Sequence, residues 1–302
     1  MKPSTVRESV EIRRLADCTF RQAVELWNLG FAGYYSDMTL TLDKFIAKLG
    51  SEWIRPELSV AAFIGGEPAG FVLVAVKEVD GVNLAWNGGT GVHPAYRGKG
   101  LAKLLMREAV AAMKEGGAET ALLEVVQKNA AALAAYESAG FLVCDELIGM
   151  KRMGALNGIS SVQPYAAEAY STVRAKLQQI AKLPFFRHET AWTSAWFNLK
   201  DGEGIVVLDQ EGVIGAYVLV RKTYGENGEL QGVTLFQCAA DSSRPDRKEL
   251  LCAVLAEAFG PSDEACQRSV SNLSMSDPAV IEWLEAAGFE AVYTQYLMIA
   301  KL

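Results

Sequence analysis

The chain has 302 residues, half of them hydrophobic and 22% charged, a composition for a packed globular protein of one large domain or two ordinary ones rather than a disordered one. A net charge of −7 argues against a nucleic-acid partner held by a broad basic face, and five scattered cysteines without a C-x-x-C pair argue against a disulfide framework or a zinc site. Residues 1–7 carry no apolar signal-peptide core and no apolar run approaches a membrane span, so a soluble cytoplasmic protein with neither metal nor membrane partner is expected.

In chain order, residues 10–15 read as a strand and 20–31 as an amphipathic helix, with a second helical segment at 42–49. Strands at 59–64 and 70–77 are joined by Gly65-Gly66-Glu67-Pro68, a strong turn signal. A longer strand, 82–92, stops at Pro94, and the helix 101–115 ends on Gly116-Gly117. Residues 120–126 form a buried strand. Asn129 caps a helix that closes at Gly140, and residues 141–150 return to strand.

Residues 154–161, rich in small and polar side chains, read as a linker, and beyond them the first half recurs. The hairpin returns at 204–220. Tyr136-Glu137-Ser138-Ala139-Gly140-Phe141 reappears 148 residues later as Leu284-Glu285-Ala286-Ala287-Gly288-Phe289. One repeat of domain length predicts two similar domains, 1–153 and 154–302. The acidity lies mainly in the second, with 12 basic and 18 acidic side chains against 17 and 18 in the first.

The segment 92–102 carries the most chemical information. Val92-His93-Pro94 ends a strand, and Arg97-Gly98-Lys99-Gly100-Leu101-Ala102 leads directly into an apolar-periodic helix. Glycines at 98 and 100 let several backbone N–H groups converge, and the positive end of the helix adds to that focus. The turn therefore suits a pyrophosphate.

Together, V-x-P, R-x-x-G-x-A, Leu123-Glu124-Val125, Asn129, Tyr136 and Gly140-Phe141 stand in an order that resembles the GCN5-related N-acetyltransferases (GNATs), strongly over residues 82–145. The resemblance implies an α+β fold in two tandem copies, each a mostly antiparallel mixed sheet that splays open at its centre between flanking helices. It implies acetyl-CoA as co-substrate, with pantetheine in the splay beside the backbone of Val92. Arg97, Gly98, Lys99, Gly100, Leu101 and Ala102 would surround the pyrophosphate, with Asn129 near the cofactor arm. The spacing of Glu124 and Tyr136 is similar to that in ribosomal-protein alanine acetyltransferases, which implies Glu124 as base and Tyr136 as acid.

Acetyl transfer to an amine requires a neutral nucleophile, and an alkylammonium with a pKa near ~10.4 must first lose a proton. Glu124 is the only carboxylate on the strand beside the gap; its competing reading is an ion pair with a basic neighbour. Tyr136 is either the donor to the leaving thiolate or an aromatic packed on the sheet. Asn129 serves as cap, cofactor ligand or both, and Arg97 and Lys99 as phosphate partners or plain surface charges. His93, before a proline, reads as structural, and His188 has no evident nucleophile beside it. Phe31, Tyr34 and Tyr35, with Trp27 and Met38, form an acceptor wall or simply core. Trp192, Trp196 and Phe197 are their counterparts in the second half, or a cover for the first domain's acceptor pocket.

In the second copy Arg97, Gly100 and Tyr136 are replaced by Pro245, Lys248 and Leu284, and the turn 243–248 has no glycine. Only Asp277, before Pro278, keeps a capping role. The second domain is therefore expected to be degenerate and non-catalytic. The acceptor is a small-molecule amine or a peptide N-terminus, which the sequence does not separate, and the acyl chain and oligomeric state stay open. A non-catalytic acyl-CoA sensor, a transferase for another acyl-CoA, and a nucleotide-phosphate binder are the alternatives; the last lacks G-x-x-x-x-G-K-[ST].

Overall fold

Alternation and turn chemistry build the first sheet. Strands β1 (Val10–Arg14), β2 (Val60–Ile64), β3 (Glu67–Val79) and β4 (Val82–Val92) pair antiparallel in that order. In β3 every residue from Pro68 to Val76 is buried, as a central strand covered on both faces requires. Strand β5 (Thr120–Val126) adds to β4 in parallel. The computed structural model describes residues 9–156 and 169–302.

Helix α1 (Phe20–Gly30) starts at a capping box between Thr19 and Gln22 and buries Ala23, Leu26, Trp27 and Gly30. That i, i+3, i+4, i+7 stripe packs against β3 and β4. Helix α2 (Leu42–Ser51) is capped by Thr41, and α3 (Leu101–Glu115) packs against β3 through a stripe that includes Leu105, Met106 and Ala109. Helix α4 (Ala130–Glu137) starts at Asn129, whose Oδ1 accepts from Ala132 N at 3.2 Å. The elements expected over residues 10–150 are all present.

The chain forms two compact units. The first holds residues up to Cys144 together with Met298–Leu302; the second is Asp145–Leu297. Strand β6 (Leu142–Gly154), expected to close the first domain, therefore falls mostly in the second unit. The end of the last strand, β12 (Glu290–Lys301), belongs to the first, where Leu302 N donates to Glu119 O at 3.0 Å. Of the predicted linker, residues 157–161 lie outside the described residues, as does the segment 1–8.

The second unit repeats the plan. Strands β7 (Ser171–Ala175), β8 (Glu203–Leu208), β9 (Ile214–Tyr224) and β10 (Leu230–Ala240) are antiparallel neighbours, with the short helix α5 (Leu177–Ile180) between β7 and β8. Strand β11 (Cys266–Ser274) runs parallel to β10 and antiparallel to β6. Helix α6 (Arg247–Phe259) packs on β8, β9 and β10, and α7 (Pro278–Ala286) is capped by Asp277. Each unit is thus a mostly antiparallel sheet with one parallel pair, flanked by helices. No helix among the described residues is long and apolar enough to cross a membrane.

Candidate active site

The first unit's sheet opens where a bulge interrupts β4. Leu73 pairs with Gly89 and Val74 with Asn87, so Gly88 is an extra residue. Gly89 has φ +149°, a conformation that favours glycine, and a Cβ there would meet Trp27 at 3.0 Å. The parallel register between β4 and β5 holds only from Leu84–Thr120 to Trp86–Leu122. Beyond it β4 continues to Val92 and β5 to Val126 without pairing to each other.

Two of the expected catalytic side chains flank this opening. The indole Nε1 of Trp86 donates to Glu124 Oε2 at 2.7 Å. Tyr136, on α4, is buried, and its hydroxyl lies near the side chains of Asn87 and Thr90, which flank the bulge on β4. Burial pushes the Tyr136 phenol up to about 12; the contacts with Thr90 and Asn87 pull it down, while Tyr34 and Glu124 add to the rise. Asn87 is buried and committed: its Nδ2 donates to Thr90 Oγ1 at 2.8 Å, and its Oδ1 accepts from Gly89 N at 3.0 Å. The bulge, Asn87 and Thr90 therefore form one polar network inside an apolar core, with the Tyr136 hydroxyl beside it.

In the turn before α3 both glycines are left-handed, φ +74° at Gly98 and +84° at Gly100, the latter being the N-cap. The first bond of the helix runs from Leu104 N to Gly100 O. The N–H groups of Leu101, Ala102 and Lys103 therefore have no carbonyl one turn back within α3, and the helix dipole adds positive potential there.

The two charges beside the turn are used internally. Arg97 Nε donates to Val92 O at 2.9 Å, and one terminal nitrogen to Gly30 O and Ala32 O at 3.1 and 2.7 Å. Arg97 thus ties the end of β4 to the loop after α1, and Lys99 Nζ donates to Ala95 O at 2.9 Å. The phosphate reading of Arg97 and Lys99 meets a competing structural task for both. His93 has the structural place expected of it, its Nδ1 accepting from Ala95 N.

The aromatic residues of the predicted acceptor wall are contiguous. Ring centroids are 4.6 Å apart for Trp27–Phe31, 5.2 Å for Phe31–Tyr34 and 5.1 Å for Tyr34–Tyr35. Tyr35 donates to Lys128 O at 3.2 Å, and the Asn129 side chain lowers the pKa of the Tyr34 phenol against the larger rise from burial. The wall therefore reaches the N-cap of α4, the helix that carries Tyr136. Trp86, Asn87 and Thr90 were not singled out in the sequence; Gly88-Gly89 within a strand was the available signal for the bulge that groups them.

The second unit splits at the corresponding place and differs in its contents. The β10–β11 register runs from Gly232–Gln267 to Leu235–Val270 and then ends. Ser194, fully buried, spans the two strands beyond that point: its Oγ donates to Ser271 O at 3.0 Å and its carbonyl accepts from Gln237 Nε2 at 3.0 Å. Trp192 is buried in the same short segment. The turn before α6 is held by Asp241, which accepts from Ser243 N, and by Arg244, whose guanidinium bridges Asp209 and Asp246 at 2.6 and 2.8 Å. Among the described residues no group of three His, Cys, Asp or Glu is placed to hold a metal ion in either unit.

Comparison with known proteins bears on both units. Residues 21–141 match the model of the acetyltransferase (GNAT) family. A streptothricin acetyltransferase of Streptomyces lavendulae is 37% identical over 90 residues, which cover 28% of this chain and 44% of that protein. The chain thus spans less than half the length of this curated relative. Among solved structures, a GCN5-related glucosamine N-acetyltransferase region of a fungal multi-domain GH3 β-N-acetylglucosaminidase is 17% identical with a TM-score of 0.67, covering 98% of this chain and 38% of that one. A tandem GNAT protein from the clavulanic acid biosynthesis pathway is also 17% identical, at a TM-score of 0.57, over 97% and 98% of the two chains. At such identities the structural likenesses speak for the fold alone. The family match falls on the unit whose strands splay beside Glu124 and Tyr136, and over residues 21–141 the chain is similar to the GNAT acetyltransferases.

Proposed function

We propose that the chain is an acetyl-CoA-dependent N-acetyltransferase with one working site, in the first unit. The observation that carries this reading is the parallel register ending at Trp86–Leu122, with Glu124 and Tyr136 beside the opening and the left-handed glycine turn at the head of α3. Pantetheine lies in the opening with its amides on the strand backbone near Val92, and the pyrophosphate rests on the N–H groups of residues 98–103. The wall from Phe31 to Tyr35 faces the acceptor, and Asn129 borders the cofactor arm while capping α4.

Glu124 removes a proton from the acceptor ammonium, directly or through a water, and the amine nitrogen then attacks the thioester carbonyl. The tetrahedral intermediate collapses with cleavage of the C–S bond; Tyr136 gives its proton to the departing thiolate, and the second proton, lost by the nitrogen as the amide forms, passes through water back to the phenolate. With a phenol raised to about 12, Tyr136 is protonated throughout the neutral range, as a donor must be. Transfer is direct, in a ternary complex, and no covalent enzyme intermediate is invoked.

The matching relative's name favours a small-molecule amine of the antibiotic kind as acceptor, ahead of a peptide N-terminus. The second unit has no second site in this reading. Ser194 bridges its split strands, and three aspartates stand at or beside the turn where a pyrophosphate would need bare N–H groups.

The deciding experiment is calorimetric titration with acetyl-CoA, followed by a CoA-release assay over a panel of amines that includes streptothricin. One site per chain and amine-dependent CoA release are expected. Absence of binding overturns the proposal, and two sites overturn its account of the second unit.

A further inference from the structure

Trp86 occupies an unusual place: it is the last residue of β4 paired with β5, and its side chain reaches Glu124, two residues past the partner of that final pair. The indole is 5% exposed and held from several sides. The Lys48 ammonium lies 5.6 Å from its ring centroid and 5.1 Å from that of Trp27. Lys48 is itself paired with Glu52 one turn along α2. On the strand, the extra residue Gly88 leaves no room: a Cβ there would lie 2.8 Å from the Trp86 ring. The indole N–H therefore has one direction, towards Oε2 of Glu124.

We propose that Trp86 is a positioning residue for Glu124, its N–H fixing one carboxylate oxygen so that the group is presented to the acceptor ionised and in a single rotamer. This rests on Glu124 being the base in the function proposed above. A neutral donor bonded to a carboxylate favours its charged form, and a side chain with one oxygen tethered loses less entropy in reaching a productive geometry. Titratable and charged groups around the pair include Lys48 and Glu52 from α2, Tyr136 from α4, which interacts electrostatically with Glu124, and Tyr34 from the loop after α1, which interacts with Tyr136. Trp86→Phe changes none of them, and it keeps a ring beside Lys48 while deleting the N–H.

The test compares Trp86→Phe, Glu124→Gln and the double variant by pH-dependent steady-state kinetics. For Trp86→Phe, kcat is expected to fall about tenfold, with the acid limb of kcat/KM moved to higher pH by about half a unit. Acetyl-CoA affinity should stay unchanged, with a lower melting temperature from the smaller buried ring. The double variant should be no slower than Glu124→Gln alone, because Trp86 acts only through that carboxylate. A Trp86→Phe protein with the parent's kcat and acid limb, alongside a crippled Glu124→Gln, overturns the role of Trp86 and leaves the base assignment standing. A fully active Glu124→Gln overturns the base assignment itself. In the unaltered protein, one indole N–H resonance should follow a carboxylate titration and lose that dependence in Glu124→Gln; no such resonance would also overturn the proposal, whether or not the phenylalanine variant folds.

Discussion

Both units end a short parallel register and let two strands diverge, at Trp86–Leu122 in the first and Leu235–Val270 in the second, yet they finish the opening in opposite ways. In the first unit a bulge interrupts β4 and two left-handed glycines form the turn at the head of α3. In the second, Ser194 bonds to both strands and Arg244 bridges Asp209 and Asp246 beside the turn. The splay follows from topology, since a parallel pair added to an antiparallel sheet can end early in either copy. Acyl-CoA binding asks for more: bare N–H groups at the head of a helix and a gap free of the chain's own side chains. The fold is shared, and the chemistry depends on what occupies it.

The sharpest way to break this comparison is a charge at the head of each helix. Gly100→Glu sets a carboxylate and a Cβ at φ +84°, at a strain of about 1 kcal/mol. The substitution should abolish acetyl-CoA binding, a loss of at least about 100-fold since repulsion adds to a blocked cradle. Lys248→Glu, near the corresponding point of the second unit, should leave affinity unchanged. Calorimetry on the two variants decides, and equal losses would mean that both turns carry cofactor.

Next in size come the side chains at the opening. Tyr136→Phe should lower kcat by about 10²-fold or more with little change in acetyl-CoA affinity, read by stopped-time CoA release. The pH dependence has a definite sign: with a phenol lifted to about 12, the parent should show no descending limb from this residue below that pH. Leu284, its counterpart in α7, is fully buried, so Leu284→Ala should cost stability, about 2–5 kcal/mol, without touching the chemical step.

How much of this was legible in the sequence depended on whether a signal was local. The strands, the caps Thr19 and Asn129 and the glycine turn rest on neighbouring residues, and the structure has them where periodicity and turn chemistry place them. The division of strands did not: β6 and the end of β12 read as parts of consecutive domains, and only tertiary contacts assign residues 145–154 and 298–302 to the opposite units. Arg97 likewise looked like a phosphate partner because its carbonyl acceptors, Gly30 and Ala32, are far away in the chain. Trp86, Asn87 and Thr90 belong to no recognisable spacing: Trp86 reaches Glu124 across the last β4–β5 pair, and Asn87 and Thr90 bond to each other across the bulge at Gly88. Ser194 was invisible for the same reason, lying in a segment without periodicity, 43 residues from Gln237.

The smallest expected effect tests whether the second unit's turn is a structural substitute for the first unit's cradle. Arg244 holds the Asp246 carboxyl down at about 2, mainly through its direct hydrogen bond, while partial burial works against it. A carboxylate lowered from its ordinary value near 3.8 stabilises the fold above that value and loses the contribution as pH falls towards about 2. The side chains are 23% and 28% exposed, so solvent screens the pair and its worth is about 1 kcal/mol or less. Arg244→Ala should therefore unfold at slightly lower denaturant than the parent at pH 7, with the gap closing between about pH 4 and pH 2. Acetyl-CoA stoichiometry should stay at one, because freeing the turn leaves Ser194 across the split strands. A second binding event in Arg244→Ala would show instead that the turn alone had kept the second unit empty.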